Sequence, residues 1–338
     1  MLAQLPTELK ISIIEHVDKA SLPAVLRTNS SFHDFTEPIL YSVVELFPFK
    51  SGAFKPAVEC LRAIVARPSV AAAMRTLYVS LRDRRWAEDD IVRELFEALG
   101  KALLKLNNLE KLELPNWDGT DRSCMEHIPR GSALPSLRHY YGPAEVIDSI
   151  QSYVLATVYI ETWRPRAVEV SRTLLAAARF CAGTLRALEI VKEESDDEEQ
   201  WLRVVLQLLP LFPKLRFLGL GDWNTLDNRL MDQLTPGLRA MEDLRLFYIG
   251  EAYVITPDRE EEIVRHLHEG CPQLRAIAPG GEDWRFSEEF QQWVPPPSCR
   301  LSSQRTNEIW ARSDYQKYLV DPQTDGFDYQ LTNEDWRW

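Results

Sequence analysis

The sequence predicts a mixed α/β chain in which a module of three short helices precedes an irregular solenoid with one strand and one helix per repeat. Three observations predict it. Residues 4–44 carry helical apolar spacing between cap and stop signals, a phrase of the form L-x-x-L-x-L recurs from Met74 onward, and amphipathic helical patterns separate the phrases.

At 338 residues, with 45% hydrophobic and 27% charged side chains, the composition is that of a folded protein with two folding units or one elongated repeat array. The net charge of −12 disfavours nucleic acid as a partner. Cys60, Cys124, Cys181, Cys271 and Cys299 show no C-x-x-C pairing, so they are expected to be small buried hydrophobes in a reducing compartment, with no metal site. No signal-peptide pattern and no run of roughly 18 apolar residues is found, so no membrane partner is expected and the location would be cytoplasmic or nuclear.

In the opening module, Pro6 suits a first helical position and Glu8 the positive end of the helix dipole. Leu9, Ile13 and Val17, with Ile14 beside them, form an apolar stripe. Ser21 reads as the cap of a second helix carrying Leu22, Val25 and Leu26, and Ser30 as the cap of a third with Phe32 and Phe35, halted by Pro38. A unit of this size buries little apolar area and has no disulfide or metal to staple it. Its stability must come from packing on the rest of the chain or on a partner.

Leu5-Pro6, Glu8-Leu9, Ile13-Ile14, Leu22, Val25-Leu26-Arg27, Asn29 and Leu40-Tyr41 occur in the order of an F-box, which residues 4–44 resemble; Phe32 stands where that family often has tryptophan. The resemblance implies docking to a Skp-family adaptor, and through it to a cullin-RING ubiquitin ligase. Leu5, Pro6, Leu9, Ile13 and Ile14 would make the contact, with Leu40 and Tyr41 nearby. An ordinary helical cap on the following solenoid is the other reading of the same residues.

Residues 45–73 read as a helical linker. The recurring phrase then starts at residues 74, 109, 137, 155, 185, 215, 244 and 274, the last five units repeating about every thirty residues. Helical patterns run from Asp89 to Leu106, Val168 to Cys181, Glu198 to Leu209, Asn228 to Met241 and Asp258 to Gly270. Over residues 74–280 the phrase resembles the leucine-rich repeats of F-box proteins, although no asparagine ladder is present; Trp117, Trp163 and Trp223 follow their phrases instead and read as turn plugs.

Alternate residues of a strand point to opposite faces, so those flanking each central aliphatic are expected to form an exposed ladder. Its aromatic members, Tyr78, Tyr141, Tyr159, Phe217 and Tyr248, together with Lys111, are the candidate substrate-binding residues. The same rings could instead reflect strand propensity and cover one another.

Glu193 to Glu199 form an acidic run read as a solvated loop, and His266 and His268 are too poorly spaced for a metal pair. Residues 281–338, with Trp310, Tyr315, Tyr318, Trp336 and Trp338, read as an aromatic cap or a partner-binding tail. Phosphate-loop, nucleophile-elbow and zinc-protease motifs are missing from the sequence, so neither catalytic residues nor a cofactor is expected.

The expected function is that of a substrate receptor of a cullin-RING ligase, acting by proximity rather than by chemistry. Its rivals are a leucine-rich-repeat scaffold unconnected to ubiquitin and a divergent enzyme with a site assembled from loops.

Overall fold

The computed structural model describes residues 6–18, 21–28, 32–48, 53–81, 89–115, 127–162, 167–192, 198–223, 228–251, 257–279, 284–287 and 292–294. The fold is mixed α/β, with strands that are mostly parallel. The chain divides into two compact units between Leu155 and Ala156.

The first unit opens with α1 (Thr7–Glu15), α2 (Leu22–Thr28) and α3 (His33–Leu40). Pro6 lies just ahead of the helix rather than in its first turn, and its carbonyl accepts the Lys10 N–H at 3.1 Å. Ser21 does precede α2, but its hydroxyl donates backwards to Asp18 Oδ2 at 2.7 Å instead of capping the helix. α3 runs through Pro38 and ends two residues later, because a ring so near the end of a short helix costs only one intrahelical bond. Ser30 lies outside the described residues.

Ile14, Leu22 and Phe32, each at most 3% exposed, form the module's core, with Val17, Val25, Ile39 and Leu40 packed around it. Burying three large side chains yields about 1.5–3 kcal/mol apiece, too little to order three helices alone. The module is tied instead to the next helices, α4 (Phe54–Ala66) and α5 (Pro68–Ala73). Buried Glu37 on α3 pairs with Arg67 and accepts the Ser69 hydroxyl at 3.2 Å, and the Arg67 guanidinium sits 5.5 Å from the Tyr41 ring centre.

The stretch expected to be a helical linker begins inside a strand. β1 (Val43–Leu46) pairs in parallel with β2 (Thr76–Val79), Val44 opposite Leu77 and Leu46 opposite Val79. Tyr41-x-x-Val44-x-Leu46 is therefore a first copy of the phrase, hidden by a tyrosine where the later copies have an aliphatic residue. After α6 (Asp89–Leu103), β3 (Lys111–Glu113) and β5 (His139–Pro143) extend the parallel set. The shortest interval between phrases, 137 to 155, has room only for the one-turn α7 (Ala144–Ile147) and for β6 (Ile150–Gln151), which pairs with β4 (Ser132–Ala133).

The second unit alternates β7 (Thr157–Thr162), α8 (Ala167–Cys181), β8 (Ala187–Lys192), α9 (Glu198–Leu208), β9 (Phe217–Trp223), α10 (Asn228–Arg239), β10 (Leu246–Glu251), α11 (Pro257–Gly270) and β11 (Ala276–Pro279). β7 to β11 are parallel and in register, so Val158, Leu188, Leu218, Phe247 and Ile277 form one fully buried rung. After β11 the rhythm ends in an antiparallel pair, β12 (Trp284–Ser287) and β13 (Gln292–Val294).

The helix-to-strand turns explain two features of the phrase. Its first leucine donates its N–H to the carbonyl of a buried residue three or four positions earlier: Leu109 to Leu106, Leu137 to Leu134, Leu185 to Cys181, Leu215 to Phe212, Leu244 to Met241 and Leu274 to Cys271. Cys181 and Cys271 are thus packing residues at these corners. The arginine that follows the first residue of most phrases folds its guanidinium back to the carbonyl three residues earlier, as Arg75 does to Ala72, Arg186 to Gly183, Arg245 to Glu242 and Arg275 to Pro272. A fixed cation here satisfies a carbonyl that the helix end leaves open.

Candidate functional site

Two surfaces carry the candidate residues. On α1, a residue advances the helix face by about 100°, so Leu9 and Ile13 share one edge while Ile14 lies roughly 100° further round. Ile14 is the residue that points into the module, at 0% exposure, whereas Leu9 is 52% and Ile13 41% exposed. Ile14 is therefore a core residue and not a contact residue, because the Leu22–Phe32 pair claims its side of the helix. Pro6 is exposed, and Leu5 lies outside the described residues. Leu40 is half-buried against the module's core, and Tyr41, also half-buried, lies beneath Arg67. Ile11, 36% exposed, adds to the bare apolar surface of α1. Helical spacing gave no signal for it, since two positions from Leu9 is nearly the opposite side.

In the first unit the strand ladder is polar. Lys111 and Glu113, two apart and hence on one side of β3, form a 3.1 Å ion pair; Glu113 is buried and Lys111 half-buried. Lys111 lies beside His139, and Glu113 beside Tyr141. Burial, then the nearby charges of Lys111 and Arg138, lower the His139 pKa from 6.5 to about 4. The imidazole is neutral at pH 7. Tyr141 is half-buried, but Tyr78 is only 5% exposed and packs 4.9 Å from the Phe47 ring.

In the second unit the ladder is apolar and closed. Tyr159 is 7% exposed, Phe217 3% and Tyr248 7%. Tyr78, Tyr159, Phe217 and Tyr248 thus do not present an open aromatic surface. Phe217 and Tyr248 cluster instead with Ala187, Leu246, Ala276 and Ala278. Alternation correctly separates the two sides of a strand, but parallel sheets are commonly covered on both, so facing away from the helices does not mean facing water. Glu189, 1% exposed, lies in the same row as Tyr159, Gly219 and Tyr248. Alternation puts Glu189 on the expected exposed ladder, but a glutamate in a short strand gives no sequence signal of burial, and the structure buries it.

Burial pushes the Cys181 thiol up to about 12 and that of Cys271 to about 11, away from a reactive thiolate. His266 lies 3.2 Å from Asp232, while the His268 ring stacks on Phe286 at 4.8 Å and meets Trp293 edge-on at 5.3 Å, fastening the β12–β13 pair to α11. Among the described residues no group of His, Cys, Asp and Glu is arranged to hold a metal ion, and no helix is long and apolar enough to cross a membrane. Trp117, Trp163 and the acidic stretch 193–197 lie outside the described residues, and Trp223 ends β9. Compared with known proteins, the chain matches no protein-family model and no curated protein.

Proposed function

We propose that the chain is a substrate-recognition subunit of a cullin-RING ubiquitin ligase, with α1 as the docking element for a Skp-family adaptor. The observation that carries the reading is the division of labour on one short helix: Ile14 anchors it while Leu9 and Ile13 stay in water. Exposed large aliphatics held on a fixed helix face are costly to a monomer and suit a partner's groove. The acidic chain, the unreactive thiols of Cys181 and Cys271 and the strand–helix units fit a receptor that works by proximity. Of the candidate substrate-binding residues, Lys111 and Tyr141 are the two that stay half-exposed.

Co-expression with a Skp-family adaptor tests the reading. The chain should co-purify with it, and Leu9→Asp combined with Ile13→Asp should abolish the complex while the melting transition of the chain is retained. A wild-type chain that never captures the adaptor would leave a repeat scaffold unconnected to ubiquitin.

A further inference from the structure

The arginines that close the helix-to-strand turns of the second unit stand in one line. The Arg216 N–H donates to the Arg186 carbonyl at 2.8 Å, the Arg245 N–H to that of Arg216 at 2.9 Å, and the Arg275 N–H to that of Arg245 at 2.7 Å. Four half-buried arginines thus occupy neighbouring backbones about 4.8 Å apart, a row roughly 14 Å long. In the first unit the corresponding bonds join Ser42, Arg75, Glu110 and Arg138, and the Glu110 carboxylate lies 3.4 Å from Arg75. Like charges on adjacent strands repel, and there a carboxylate of the chain relieves the repulsion. In the second unit no acidic residue enters the row.

The turns around the row are basic as well. Residues 178–186, 208–216, 238–245 and 267–275 hold seven lysines and arginines against Glu242, Asp243 and Glu269, in a chain whose net charge is −12. Holding the helix ends does not use these cations up. Arg186 donates to the Gly183 carbonyl, and Arg245 to those of Glu242 and Leu244, in each case through Nη1. A guanidinium carries five N–H donors in a rigid fork, so the carbonyl fixes the group while Nε and Nη2 of Arg186 and Arg245 keep donors for a second acceptor. Arg275 is fixed in the same way by Pro272 and Leu274, and lies 5.6 Å from the Phe286 ring centre. Lys214, exposed, precedes Arg216 by two residues.

We propose that the row Arg186–Arg216–Arg245–Arg275 is a docking strip for a short acidic segment of a partner protein, whose carboxylates the pre-positioned guanidinium groups hold by charge-assisted hydrogen bonds. Size and charge select this occupant. A row of roughly 14 Å matches four or five residues of extended chain at about 3.3 Å each. A nucleic-acid strand or an anionic membrane brings charge well beyond this line, against the repulsion of an acidic protein. The proposal stands apart from the adaptor reading, because neither α1 nor an adaptor enters it.

Fluorescence anisotropy of a labelled hexaglutamate peptide with the full chain tests it. Binding in dilute buffer that weakens as salt is added is expected. Arg186→Glu combined with Arg245→Glu should weaken it roughly tenfold or more. Should that variant fail to melt cooperatively, Lys214→Glu, which removes none of the turn hydrogen bonds, should still weaken it several-fold. Arg93→Glu combined with Arg265→Glu makes the same change in net charge on exposed helix surfaces and should leave binding as in the wild type. No binding by the wild-type chain, an equal loss in the Arg93 and Arg265 control, or tighter binding of a single-stranded oligonucleotide or of phosphatidylserine vesicles than of the peptide would overturn the proposal.

Discussion

The Glu189 side chain lies over the α-carbon of Gly219, its strand neighbour: a Cβ on Gly219 would stand 2.7 Å from Glu189 Cγ and 3.2 Å from Glu189 Cβ. Glycine is thus required by close approach, not by backbone torsion. Gly219→Ala should destabilise the second unit by about 1–3 kcal/mol, since the buried glutamate has little freedom to move aside. In a double-mutant cycle with Glu189→Ala, read by urea unfolding, the two changes should couple by at least about 0.5 kcal/mol. Simple additivity would mean that the contact is not what excludes a side chain.

On α1 the two classes of aliphatic residue should separate cleanly. Ile14→Ala should cost about 2–4 kcal/mol through loss of packing against Leu22 and Phe32. Leu9→Ala should stay within about 0.5 kcal/mol. Denaturant melts of the isolated chain give both values.

Glu37 ties the helical module to the α4–α5 corner. Glu37→Ala removes the partner of Arg67 and Ser69. Because Arg67 is 45% exposed, solvent screening limits the loss to about 1–2 kcal/mol. Hydrogen exchange should show the cost as faster opening of α1 to α3 before β2 and β3 loosen.

His139 makes stability depend on pH. Its folded pKa, about 4, lies below the unfolded value near 6.5, so between these values the unfolded chain binds more protons. The associated stability is complete above about pH 6.5 and is lost as pH falls towards 4. The half-buried ring limits the effect to about 2 kcal/mol. His139→Gln should flatten the stability profile in that window relative to wild type, and an unchanged slope would assign the acid sensitivity to carboxylates instead.

Legibility in the sequence followed the range of the interactions. The helices at Asp89, Asn228 and Glu198 start where the apolar period said they would, and the strands at Lys111, Ala187, Phe217 and Ala276 begin two residues into their phrases. The first strand, at Val43, was hidden because Tyr41 replaces the leading aliphatic and helical signals surround it. Ile14 could not be told from Ile13, since both belong to one apolar stripe and only the position of Phe32 decides which turns inward.

The sequence by itself determined the alternation of strand and helix and the sides of each strand, because these depend on neighbours within a few residues. Only the tertiary structure decided that Leu9 is bare and Ile14 sealed, and that Tyr159, Phe217 and Tyr248 are buried. The reason is physical: a residue's local period fixes the direction of its side chain, but its exposure depends on what distant backbone lies along that direction.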